Sequence, residues 1–348
     1  MNSTSPIPSP NNLTPIKKKI KFEPKFLSLN DLNLKYNADN YLNTATEDVH
    51  LRLKNYLSIP NTILDERKRY ILLDWMLELS SSLYFKRSTY HLSSVLVDMY
   101  LSTVINVKIE ELQLIGVTCL LIASKNEEIE TYSIEFFSSS TKNTYSVNMI
   151  MECEQKILKS LGWKIQVPHL AEWGNLVMAK WDAFSEEKKY SLPKFRGSAE
   201  TNYYLFKNFF MLLDVISLDY YHIFINEKLI CNSIIFLLIG QNLECFSMND
   251  ILNCFESENL NTKFYRFIGI FTNFLKEKFD LTFEQLRETV KYVCMFFYMT
   301  FVYEDTKYQT DSEEEKNQIQ TRNEKNQESI KRIMIIRKNG NDTKNSNE

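Results

Sequence analysis

From Ile63 to Val167 the chain contains no proline, and after Pro193 none follows to its end. Its 348 residues include only seven glycines and eight prolines, and five of those prolines fall within the first 24 positions. Strands joined by tight turns consume glycine and proline, because the turn types need positive φ or a preset φ of about −65°. A long chain this poor in both is expected to be all-helical. Apolar residues recur at helical spacing through Ile71, Leu72, Trp75 and Leu79, and again through Val95, Leu96, Met99 and Tyr100.

The first 30 residues are polar, basic and proline-rich, and the segment after Tyr303 is highly polar. Neither can bury enough apolar surface to offset the entropy of ordering. The expected organisation is a disordered tail over 1–38, helical domains over 39–167 and 168–303, and a largely disordered tail over 304–348. At 44% hydrophobic content the chain can fill two cores. A net charge of −3 gives no electrostatic case for nucleic acid or an anionic membrane. No apolar run approaches a membrane span, and the start lacks the apolar core of a secretion signal. The expectation is a soluble, intracellular protein. Six cysteines without CxxC spacing, and only four histidines, predict buried thiols and no metal site.

Two fourteen-residue segments, LQLIGVTCLLIASK (Leu112 to Lys125) and KLICNSIIFLLIGQ (Lys228 to Gln241), are apolar nearly all round. That character suits the central helix of a bundle. The first ends in Ser124 and Lys125 and continues into Asn126, Glu127 and Glu128, whereas the second ends in Gly240 and Gln241. Only the first therefore hints at a contact surface. No glycine-rich phosphate loop, HExxH or G-x-S-x-G is present, and adjacent Glu127 and Glu128 cannot face one another across a substrate. No residue is proposed as catalytic, no cofactor is implied, and the chain is not expected to be an enzyme.

RYILLDWMLEL (Arg69 to Leu79), LQLIGVTCLLIASKNEEI (Leu112 to Ile129) and CEQKILKSLGWKI (Cys153 to Ile165) resemble the cyclin box in order and spacing. The five positions that typify the box are present as Arg69, Asp98, Leu114, Lys125 and Glu154. The resemblance implies two five-helix repeats and a role as activating subunit of a cyclin-dependent protein kinase, in a heterodimer. It implies that Lys125 and Glu154 grip the kinase's C helix through charge-assisted hydrogen bonds. Asn126, Glu127 and Glu128 would lie at the edge of that contact. An aromatic or leucine is common in the family where Asn126 stands, so the apolar part of the interface is reduced here. Arg69 and Asp98 are read as a structural ion pair, since buried charges need partners.

In similar cyclins a groove corresponding to Ile71, Leu72, Trp75, Glu78 and Gln113 docks a short arginine-x-leucine motif of substrates or inhibitors. This sequence departs from that pattern at Lys68 and Tyr70, and placement of Leu72 and Trp75 in the core stands as the alternative. SLGWKI, Glu172 with Trp173, and MLLDVISLDYYHI (Met211 to Ile223) look most like the cyclin E type, implying the G1/S transition. The alternatives are a B-type mitotic cyclin and a cyclin-fold scaffold of a transcription complex, as in general transcription factor B and the retinoblastoma protein. The lysine cluster in PIKKKIKF (Pro15 to Phe22) suggests nuclear import, with a solvated basic run as the plain alternative. Thr14, Ser5 and Ser9 each precede proline and are candidate phosphorylation sites, as is Ser312 before three glutamates.

Overall fold

The computed structural model describes residues 42–43, 45–47, 49, 66–104, 107–188, 192–195, 200–247, 250 and 262–301. Among them all regular structure is helical, as the proline and glycine pattern predicts. The first group comprises α1 (Glu66–Ser82), α2 (Arg87–Thr103), α3 (Leu112–Glu127), α4 (Ile134–Ser140) and α5 (Val147–Ser160). The second comprises α6 (Leu170–Glu187), α7 (Glu200–Leu218), α8 (Glu227–Asn242), α9 (Thr262–Phe279) and α10 (Phe283–Phe301). Short 3-10 turns at Ile109–Glu111 and Tyr220–Phe224 lead into α3 and α8.

The two predicted central helices take that place. Helix α3 packs against α1, α2, α4 and α5, and α8 against α6, α7, α9 and α10. A helix wrapped by neighbours must be apolar on every side, which explains the all-round patterns of Leu112–Lys125 and Lys228–Gln241. The first core is mostly aliphatic, with Leu73, Met76, Leu96, Val97, Ile115 and Ile157 among its members. Phenylalanine dominates around α8: Phe236 meets the rings of Phe246, Phe267 and Phe271 at 5.9, 5.4 and 5.2 Å between centroids. Cys119, Cys153, Cys231, Cys245 and Cys294 are buried and free. Burial pushes the thiols of Cys119 and Cys231 well up, which leaves them unreactive. Cys254 lies outside the described residues.

The groups share a seam in which α2 meets α6 and α7, and α1 meets α7 and the following 3-10 turn. Leu218 and Ile223 join the aliphatic core of the first group. Polar contacts run alongside. Tyr90 and Ser217 hydroxyls lie 2.9 Å apart, His91 Nε2 is 3.2 Å from Asp214 Oδ1, and Arg87 pairs with the other Asp214 oxygen. His169, the N-cap of α6, accepts the Glu172 amide at Nδ1 and stacks on His91. Burial, with the neighbouring His91 second, lowers the His169 pKa to about 3, so the ring is neutral.

Candidate functional site

Lys125 stands in the last turn of α3, where its charge complements the helix dipole. Glu154 lies midway along α5, which packs across α3. Lys125 Nζ donates to Glu154 Oε1 at 2.6 Å, with the lysine side chain 48% and the glutamate 17% exposed. The remaining ammonium protons and the second carboxylate oxygen are available to another molecule. Exposed Met151, one turn before Glu154, and exposed Trp163, beyond the end of α5, add apolar surface along the same helix. Trp163 is displayed by a tight stop. Gly162 and Trp163 both have left-handed backbone, φ 59° and 61°, and the Trp163 amide donates to the Leu158 carbonyl at 2.9 Å.

The corresponding end of α8 is built differently. A Cβ placed on Gly240 would lie 2.2 Å from the Phe246 ring, so the chain after α8 folds tightly over that position. Gly240 is buried, whereas its counterpart Ser124 is followed by an exposed lysine. The asymmetry noted in the sequence is therefore an asymmetry of surface: one central helix ends open, the other covered.

Asn126, Glu127 and Glu128 divide in role. Asn126 Nδ2 donates to Glu127 Oε1 at 2.9 Å, and both side chains are half-buried beside Lys125. Glu128 turns away to accept the Lys86 amide at 2.8 Å and the Thr89 hydroxyl, capping the start of α2. Its side chain is 11% exposed. Glu128 thus staples two loops, an assignment that sequence reading missed because its partners lie about forty residues upstream without any periodic signature.

Arg69 and Asp98 are paired as expected, with Nε to Oδ1 at 2.9 Å and Nη2 to Oδ2 at 2.8 Å. Their side chains are 0% and 2% exposed. The sequence did not indicate the third contact: Nη1 donates toward the carbonyls of Ser217, Leu218 and Asp219 at 3.1, 3.2 and 3.3 Å. These carbonyls close α7 and lack partners within the helix, so Arg69 is a side-chain cap reaching across the seam.

The groove residues on α1 separate by helical phase. Leu72 is 6% exposed and belongs to the core, while Ile71 is 56% exposed and Glu78 is exposed. Trp75 is half-buried between the two apolar clusters of the first group, and Gln113 is half-buried at the start of α3. Leu72 is therefore a packing residue, since its position on the helix faces inward between Leu73 and Met76; Ile71, Trp75 and Glu78 remain on the surface. Thr14, Ser5, Ser9, Ser312 and the lysine cluster lie outside the described residues. Among those described, no group of three histidine, cysteine or acidic side chains could hold a metal, and no helix is long and apolar enough to cross a membrane.

Comparison with known proteins agrees with this geometry. Residues 39–166 match the cyclin N-terminal domain. Cyclin-A2-2 of Arabidopsis thaliana is 35% identical over 134 residues, 38% of this chain and 30% of that protein. Cyclin-B1-3 of Oryza sativa subsp. japonica is 36% identical over 123 residues, 35% of this chain and 26% of its own length. The chain thus spans less than a third of the length of these curated relatives. A viral cyclin from herpesvirus saimiri aligns with 72% of this chain and 96% of its own, at 17% identity and a TM-score of 0.49. The named plant relatives are of A and B type, so the resemblance to the E type gains nothing from them. Arg69, Asp98, Leu114, Lys125 and Glu154 all fall inside the matched span, and through that domain the chain is a member of the cyclin family.

Proposed function

We propose that this chain is the regulatory subunit of a cyclin-dependent serine/threonine protein kinase, forming a heterodimer with the catalytic subunit and switching it on. The observation that carries the reading is the Lys125–Glu154 pair, set at an open helix end and flanked by exposed Met151 and Trp163. Its ammonium donates to carbonyls and its carboxylate accepts from backbone amides of a partner helix. That grip rotates the kinase's C helix inward, so that the helix glutamate reaches the ATP-binding lysine. Phosphoryl transfer belongs to the kinase; this chain supplies position.

The test is co-purification of kinases with the full chain, identification by mass spectrometry, and histone phosphorylation by the isolated pair. Wild type is expected to bind and activate. Lys125→Ala and Glu154→Ala are expected to lose activation with unchanged circular dichroism. Full activation by the double variant overturns the assignment.

Two finer readings accompany it. Ile71, Trp75 and Glu78 support docking of arginine-x-leucine substrates or inhibitors on α1, with Lys68 weakening it. For timing, SLGWKI and Met211 to Ile223 support action at G1/S as in the E type, whereas the A- and B-type names of the relatives support the mitotic alternative. Abundance of the chain through a synchronised cell cycle separates these. The lysine cluster between Pro15 and Phe22 supports a nuclear location, tested by imaging a variant with those lysines replaced.

A further inference from the structure

Tyr84 is 93% exposed and Ile129 is 83% exposed, the largest values among the exposed large apolar side chains. Tyr84 also has left-handed backbone, φ 56°, at the position just past α1 where glycine is the relaxed choice. Its amide donates to Ser81 O and the Phe85 amide to Ser80 O, both at 3.1 Å, which completes the helix stop. A tyrosine is thus held in a conformation that disfavours side chains, with its ring in water.

The loop that holds Tyr84 is fixed to the loop after α3. Lys86 donates from its amide to Glu128 and from Nζ to the Glu127 carbonyl. Tyr132 donates to Leu83 O at 3.4 Å, and its ring meets Phe85 at 5.8 Å and Phe136 at 4.6 Å. These contacts preorganise a surface of Tyr84, Ile129 and Tyr132 that begins two residues from Glu127 and four from Lys125. Its charges are unbalanced: Lys86 is engaged by Glu127 and Glu128, while Glu130 and Glu135 are exposed.

We propose that Tyr84, Ile129 and Tyr132 form a second contact surface continuous with the Lys125–Glu154 site and receive an arginine-bearing segment of the same partner kinase. This rests on the kinase-subunit reading and adds the element that the partner must present. A guanidinium lies flat on a tyrosine face while its edge pairs with a carboxylate, here Glu130, and the aliphatic stem covers Ile129. Lysine offers a compact, strongly hydrated charge without the planar face, so the surface favours arginine.

The experiment compares binding of the full-length chain and its variants to the cyclin-dependent kinase that co-purifies with wild type, by biolayer interferometry alongside melting temperature. Tyr84→Gly is expected to melt at the wild-type temperature or above, because it removes backbone strain, yet to bind about tenfold more weakly. Ile129→Ser and Glu130→Lys are expected to weaken binding similarly, and Glu130→Lys to flatten its dependence on salt. If Lys125→Ala weakens binding while Tyr84→Gly, Ile129→Ser and Glu130→Lys all stay within about twofold of wild type, the second surface is refuted and the kinase-subunit reading stands. If wild type captures no such kinase, the reading fails and the inference fails with it.

Discussion

The guanidinium of Arg69 grips Asp98 with two parallel hydrogen bonds and spends its remaining donor edge on the carbonyls that end α7. One side chain therefore neutralises a buried carboxylate in the first group of helices and terminates a helix in the second. Arg69→Ala leaves Asp98 buried without a counter-charge and should cost about 3 to 5 kcal/mol. Replacing both members, Arg69→Met with Asp98→Leu, should recover part of that loss but leave the Ser217, Leu218 and Asp219 carbonyls without their donor. Urea unfolding of the three variants checks this; full recovery in the double variant would mean that the cap contributes nothing.

Lys125 and Glu154 form an ion pair exposed enough for solvent to screen it, so its net contribution to stability should be about 0 to 1 kcal/mol. Exchanging the two, Lys125→Glu with Glu154→Lys, re-forms the pair and should keep the melting temperature within a few degrees. Kinase activation should not return, because the partner helix meets each charge at the wrong place. Activation restored by the exchange would reduce the pair to an internal strut.

On α1, Ile71 and Leu72 are neighbours with opposite fates. Leu72→Ala should cost about 2 to 5 kcal/mol, as a buried leucine does, while Ile71→Ser should change stability by no more than about 0.5 kcal/mol. Titration of a fluorescent arginine-x-leucine peptide should show weak binding that Ile71→Ser and Glu78→Ala abolish and Lys68→Met strengthens. Unaltered binding in all three variants would remove this face from consideration as a docking site.

His169 is held neutral with a pKa of about 3, against 6.5 for a free ring. Below pH 6.5 the unfolded chain takes up a proton there that the folded chain refuses. Stability from this site is thus complete above that pH and falls as pH drops toward 3, by about 1.4 kcal/mol per pH unit in mid-range. His169→Asn keeps a side chain able to cap α6 and removes the titration. Chemical denaturation at pH 7.5 and pH 5 should show a smaller loss for the variant than for wild type; equal losses would show that His169 is protonated in the fold.

The helical class, the central helices and the Lys125–Glu154 pair were legible because each leaves a local mark: absent turn formers, all-round apolarity, or a polar residue ending an apolar run. The phase of α1 was only half legible, since the 3.6-residue period groups Ile71, Leu72 and Trp75 without saying which flank faces inward. Glu128 capping α2, Asp214 bridging Arg87 and His91, and Arg69 capping α7 left no such mark. Their partners are separated by roughly forty to 150 residues, and a lone acid or base reads the same whether it meets water or a distant amide. Tyr84 was overlooked for a related reason: glycine signals a helix stop, whereas a tyrosine in the same conformation does not.

The Arg69 cap also sets an order on the ribosome. The carbonyls that receive Arg69 are made 148 or more residues later. Until they emerge, the first five helices must either leave that guanidinium edge in water or bury it short of partners. A nascent first box is therefore held incomplete until α7 arrives, and premature termination before Ser217 should yield a fragment that chaperones retain and proteases remove.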